Sequence, residues 1–148
     1  MSQIKQPVTV EMDHVRINVP DMNPVASQKT IELVKKHLEI WMERDSIKRL
    51  VLAEEIYADH IRVMDPGIIL NGRIEVSNFI SNLLKQNPGF KFTIAKPIEA
   101  HHNMAILSWQ FGPQGKPDTI TGQDIFTISD DQIISMLVFV DGVTKEYE

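Results

Sequence analysis

The feature that most limits what this chain can fold into is a change of hydrophobic period just past its middle. Up to about residue 86 most apolar side chains recur every three or four positions, and beyond it they alternate. Segments 90–99, 103–112, 118–129 and 132–141 read as strands, joined by the turn-forming links "HHN", "GPQGKP" and "SDD". Links this short join antiparallel neighbours, because a parallel crossover takes about a dozen residues or more. The second half is therefore predicted to be an antiparallel meander with one face buried against what precedes it.

What precedes it is mainly helical. From Pro24, a good first-turn residue, Ile31, Val34, Leu38, Trp41 and Met42 recur at helical spacing, and His37 lies on the same face. Asp45 reads as the N-cap of a second helix in "SIKRLVLAEEIYADH", with Ile47, Leu50, Val51 and Ile56 toward one side and an end near Tyr57. Val76, Phe79, Ile80, Leu83 and Leu84 predict a third helix over 73–86, closed by "NPG". Between these helices, "HIRVMD" at 60–65 alternates with the strand period, so Ile61, Val63 and Asp65 share a face and Pro66 stops the strand. Three helices and one short strand before a sheet give an α+β domain. The alternation in "VTVEMDHVRINVP" is looser, and residues 1–23 are expected to be an N-terminal arm, extended or partly disordered, ahead of a domain over 24–148.

A length of 148 residues, 43% of them hydrophobic, suits one domain with a sizeable core. The net charge of −5 and the scattering of the 15 basic residues leave no nucleic-acid footprint. The absence of cysteine excludes disulfides, thiolate metal sites and thiol nucleophiles. The N-terminal residues lack the basic start and apolar run of a secretory signal, and no apolar stretch reaches the roughly 20 residues of a membrane span. The expected location is the cytoplasm.

Two carboxylates stand out against this background. In "DTITGQDIFTISD" the even positions Ile120, Gly122, Phe126 and Ile128 are apolar or small, and Asp124 belongs to that set. Asp65 and Asp124 thus fall on core-facing registers of different strands, which costs stability unless each is paired, hydrogen-bonded or protonated. Bland explanations fit the same residues: a turn aspartate before proline, a paired structural carboxylate, and a core histidine at position 37. Tyr57 and Asp59 read as a helix-end packing motif. His101 and His102, adjacent on a strand, should point to opposite faces and so fail to share an ion; no ligand spacing suggests a metal, and no cofactor is expected.

The segments "WMERD", "IYADHIRVMDP", "NGRIEVSNFI" and "GQDIFTISDDQIISM", within residues 27 to 142, resemble the nuclear transport factor 2-like superfamily, especially its SnoaL-like and ketosteroid isomerase-like branches. The resemblance implies a cone-shaped fold in which a strongly curved antiparallel sheet wraps around the helices and encloses an apolar pocket. It implies a base at Asp65, which precedes proline as in ketosteroid isomerases, and a protonated hydrogen-bond donor at Asp124. His37 stands where that family has a tyrosine. Trp41, Phe79, Trp109, Phe126 and Met136 are the candidate pocket walls. The implied activity is cofactor-free acid–base chemistry on a small hydrophobic carbonyl compound, of isomerase, polyketide cyclase or dehydratase type; the other reading is a non-catalytic ligand-binding or dimerisation module. A homodimer through the outer face of the sheet is also implied.

Overall fold

A computed structural model describes residues 8–12, 15–19 and 24–148. Within the expected N-terminal arm, β1 (Val8–Met12) and β2 (Val15–Val19) pair antiparallel, with Val8 opposite Val19 and Met12 opposite Val15. The other residues of 1–23 lie outside the described residues.

Helix α1 (Pro24–Met42) buries Thr30, Val34, His37 and Trp41, the three-to-four spacing expected of one face. The carboxylate of Asp45 caps α2 (Ser46–Ile56) by accepting from the backbone N–H of Ile47 at 2.9 Å and of Lys48 at 3.2 Å. The inward face of α2 is only in part the expected one, with Ile56 buried and Leu50 half-buried as expected. Ile47 and Val51 are 76% and 63% exposed, while Arg49, Ala53 and Ile56 are buried. Arg49 is held inside by its partners: Nε donates to Ser77 Oγ at 2.9 Å, Nη1 to the Glu43 carbonyl at 2.7 Å, and Nη2 to Ser81 Oγ. Desolvation lowers its pKa, and the charges of Glu43 and Asp45 oppose that shift. The guanidinium thus ties α2 to α3 (Arg73–Gln86), which carries both serines.

No loop separates α2 from β3 (Tyr57–Asp65), because Tyr57 is already extended at φ −99°, ψ 139°. The strand starts three residues earlier than the alternation in "HIRVMD" indicates, since an irregularity between Tyr57 and Arg62 shifts the register. β4 (Ile68–Asn71) was not anticipated; it folds back on β3 across Pro66 and Gly67, with Asp65 opposite Ile68. The segment 90–99 is two strands, β5 (Lys91–Ile94) and β6 (Glu99–His101), with Pro97 between them. β7 (Met104–Gly112), β8 (Ile120–Ser129) and β9 (Gln132–Val140) complete the meander.

The sheet runs β4-β3-β9-β8-β7-β5, with β6 also on β7. The meander pairs are antiparallel as expected, but β3 lies parallel to β9, so the sheet is mixed. Strand β4, helix α3 and strands β5 to β8 connect that pair, ample length for a parallel crossover. Helix α1 packs on β5, β6 and β7, and α3 on β3 and β4, which sets the core on the inner face of the sheet and confirms the α+β class. Among the described residues no helix is long and apolar enough to cross a membrane.

Replacing Arg49 by methionine strips three acceptors of their donor and is expected to lower the unfolding free energy by about 3 kcal/mol in urea titration. Val51→Lys, on the outward face, is expected to cost less than about 0.5 kcal/mol. A lysine that unfolds the domain would restore the sequence-based orientation of α2.

Candidate functional site

The site begins with a missing side chain. Trp109 on β7 lies opposite Gly122 on β8, and a Cβ at Gly122 would collide with the indole ring and with the Phe139 carbonyl. Bare backbone lets the indole lie across β8, where its N–H donates to Asp124 Oδ1 at 2.9 Å. Asp124 occupies the buried register of β8 and is 4% exposed. Its Oδ2 stands 3.6 Å from His37 Nε2, wider than a normal hydrogen bond. Burial pushes the Asp124 carboxyl above the ordinary range; the His37 imidazole and the Trp109 N–H pull it part of the way back, and the charge of Asp65 adds to the rise.

A second chain of bonds fixes His37. Its Nδ1 lies 2.5 Å from the Tyr57 hydroxyl, which also accepts from Trp41 Nε1 at 2.9 Å. An indole N–H can only donate, so the Tyr57 oxygen is the acceptor there and its own proton is left to donate. His37 Nδ1 is the acceptor within reach. That assignment places the ring proton on Nε2, the nitrogen facing Asp124. Burial raises the Tyr57 pKa, opposed by the Trp41 hydrogen bond and assisted by the Asp124 charge, so the phenol stays protonated.

Of these groups all but Tyr57 border a cavity of about 170 Å³. His37, Asp65 and Asp124 all reach it, as do the expected walls Trp41, Phe79, Trp109 and Met136. Phe126 does not. Its ring is fully buried with its centroid 4.8 Å from that of His37 at 71°, so it backs the imidazole instead of facing a ligand. Asp65, half-buried at the end of β3, also accepts from the Gly67 N–H at 3.1 Å, so the turn role and the cavity position coexist in one residue. Phe92 and Phe111 are further walls.

Tyr57 is the site residue that sequence reasoning missed, having been read as packing. The available signal was an aromatic ring with a polar tip at a helix-to-strand junction, since such a tip needs a partner when buried. Asp59 beside it is exposed and sits 3.7 Å from Arg73. The two adjacent histidines also depart from expectation: His102 adopts φ 50°, which turns its ring back so that the two Nδ1 atoms lie 3.1 Å apart. Among the described residues no group of three or more histidine, aspartate or glutamate side chains is placed to hold a metal.

Residues 34–136 match the SnoaL-like domain family, and the chain belongs to it. No curated protein matches the sequence. The fold is shared with a protein of Agrobacterium tumefaciens provisionally named an isomerase of the SnoaL-like family, at 23% identity and TM-score 0.72 over 78% of this chain and 99% of that one. A provisionally named SnoaL-like polyketide cyclase from a Jannaschia species aligns at 15% identity and TM-score 0.63, over 77% and 86% of the two chains. A protein of Kribbella flavida provisionally named a ketosteroid isomerase aligns at 16% identity and TM-score 0.58, over 82% of each chain.

The raised Asp124 carboxyl fixes a sign for stability. Below the ordinary pKa of 3.8 the group is protonated in both folded and unfolded chains. As pH rises from there through the folded value, the unfolded chain releases a proton that the folded one keeps, and stability is lost. The melting temperature of Asp124→Asn relative to wild type is therefore expected to climb as pH rises above the ordinary value of 3.8. A difference independent of pH would mean an unshifted carboxyl. Tyr57→Phe leaves the Trp41 N–H without its acceptor and frees the imidazole tautomer. It is expected to cost about 1–3 kcal/mol and to put proton density on His37 Nδ1, read by nitrogen NMR of the ring.

Proposed function

We propose that this protein is a cofactor-free acid–base enzyme acting on a small hydrophobic carbonyl compound, of isomerase, polyketide cyclase or dehydratase type. The observation that carries the reading is Asp124, desolvated at the wall of a cavity that no lysine or arginine lines. A carboxyl so placed keeps its proton and donates a hydrogen bond to an oxygen on which enolate charge develops. Asp65, at the same cavity and with water access, is the base that takes a proton from the carbon next to the carbonyl. The Nε2–H of His37 is a second donor to the oxygen. Returning the proton from Asp65 to a different carbon gives isomerisation. Attack of the enolate on a second carbonyl gives cyclisation, and expulsion of a β-hydroxyl gives dehydration.

The turn bond from Gly67 to Asp65 favours a second reading, a small-ligand-binding module of the same fold in which neither carboxylate does chemistry. The two are separated by following a β,γ-unsaturated ketone in D₂O. The acid–base reading expects exchange at the carbon next to the carbonyl, with kcat reduced about 10²- to 10⁴-fold in Asp65→Asn and in Asp124→Asn. Ligand binding with no exchange by wild type would leave the binding module.

We also propose self-association through the outer face of the sheet, where Phe139 of β9 is 49% exposed. Light scattering on a size-exclusion peak is expected to give twice the chain mass of 16.9 kDa, and to fall toward that mass in Phe139→Glu. A wild-type monomer at high concentration would rule the dimer out.

A further inference from the structure

The cavity also limits which carbonyl compound enters. We propose that the ligand is a neutral, single-ring compound of about six to ten non-hydrogen atoms, bound by one oxygen at the Asp124 end, and that four-ring skeletons and carboxylate-bearing molecules are rejected. The carbonyl class rests on the function proposed above; the size and charge limits rest on the cavity.

The size limit comes from volume and from walls that cannot yield. A cavity of about 150 Å³ with apolar walls takes up benzene. The present one, at about 170 Å³, is only slightly larger. Its two biggest walls are tethered by their polar ends, Trp41 to the Tyr57 hydroxyl and Trp109 to Asp124. Between them Phe92 is wedged edge-on, 6.0 Å from Trp41 and 5.6 Å from Trp109, while its face stacks on Phe111 at 4.1 Å. Swinging any of these rings to admit a longer skeleton breaks a buried hydrogen bond or an aromatic contact. Phe79 differs. It is a half-buried wall residue on α3, touches Trp41 at a ring separation of 6.0 Å, and carries no polar group to tether it, so it is the ring wall freest to move.

The charge limit follows from what borders the space. The ionisable side chains there are Asp65, Asp124 and His37, with no lysine or arginine. A ligand carboxylate would be taken out of water toward two acids with no cation to meet it, at a cost of several kcal/mol. The inner end offers donors, from a protonated Asp124 and from His37 Nε2, clustered around one point. They suit a single carbonyl oxygen.

The test uses the protein's own probes, because its only two tryptophans, Trp41 and Trp109, both border the cavity. Emission is followed during titration with cyclohexenone, a two-ring octalone, a four-ring steroid enone and 3-oxocyclohexanecarboxylate. Cyclohexenone is expected to give a saturable change, with the steroid and the carboxylate at least about tenfold weaker. Phe79→Ala is expected to improve octalone binding several-fold relative to cyclohexenone. Steroid or carboxylate binding as tight as that of cyclohexenone overturns the proposal, as does the lack of any saturable response. The expected ranking without deuterium exchange in the bound ketone would instead sink the acid–base reading and leave the size and charge limits standing.

Discussion

Taking one carboxyl group out of water sets the terms for the whole interior. An ionised carboxylate with no partner at the depth of Asp124 would cost far more than a domain of this size can spare. The fold answers with one strong donor from Trp109, an imidazole at longer range from His37, and a carboxyl whose pKa burial pushes above the ordinary range. Each response constrains something else. The indole reaches Asp124 only because position 122 carries no side chain, and the imidazole is turned toward Asp124 only because Tyr57 and Trp41 hold its far side. A line of contacts therefore runs from α1 through the start of β3 to β7 and β8, and the apolar core is packed around it.

That line has indoles at both ends. Indole N–H groups donate and never accept, so each end points inward with fixed polarity. The ambiguity between tautomers that attends most buried histidines is removed at His37 by Trp41, acting through Tyr57. What this leaves unbridged is the 3.6 Å gap between Asp124 Oδ2 and His37 Nε2, two groups that border the cavity. The neighbouring wall residues contribute shape, and Asp65, Asp124 and His37 contribute the ionisable groups of the lining.

How much of this was legible in the chain depended on the range of the interaction. The register of Asp124 could be read because alternation over β8 is local and strict, and the buried positions Gly122, Phe126 and Ile128 follow it. The cap at Asp45 and the third helix were local in the same way. Arg49 could not be placed from sequence, since its partners Ser77 and Ser81 lie 28 and 32 residues away and the apolar pair Ile47 and Val51 suggested the opposite face. Tyr57 was missed for the same reason, with partners 16 and 20 residues distant in the chain. The histidine pair was misjudged because strand alternation fails where a residue takes positive φ, as His102 does. Phe126 was correctly placed inside but given the wrong neighbour, because period alone separates inner from outer faces without saying which inner residues meet a void.

The parallel pairing of β3 with β9 has a bearing on how the site comes into being. In the sheet order β9 stands between β3, which carries Asp65, and β8, which carries Asp124. The two acids belong to strands 55 or more positions apart that have no direct ladder between them, so neither hairpin formation nor helix packing can bring them to a common space. Only the last strand of the sheet, once inserted, spans that distance. During synthesis the earlier elements can form their local contacts while the two halves of the site stay separate, and the long-range closure that unites them is the kind of step that folds slowly. The cavity shared by Asp65 and Asp124 therefore arrives together with completion of the sheet, and a partly folded chain carries two separate acids.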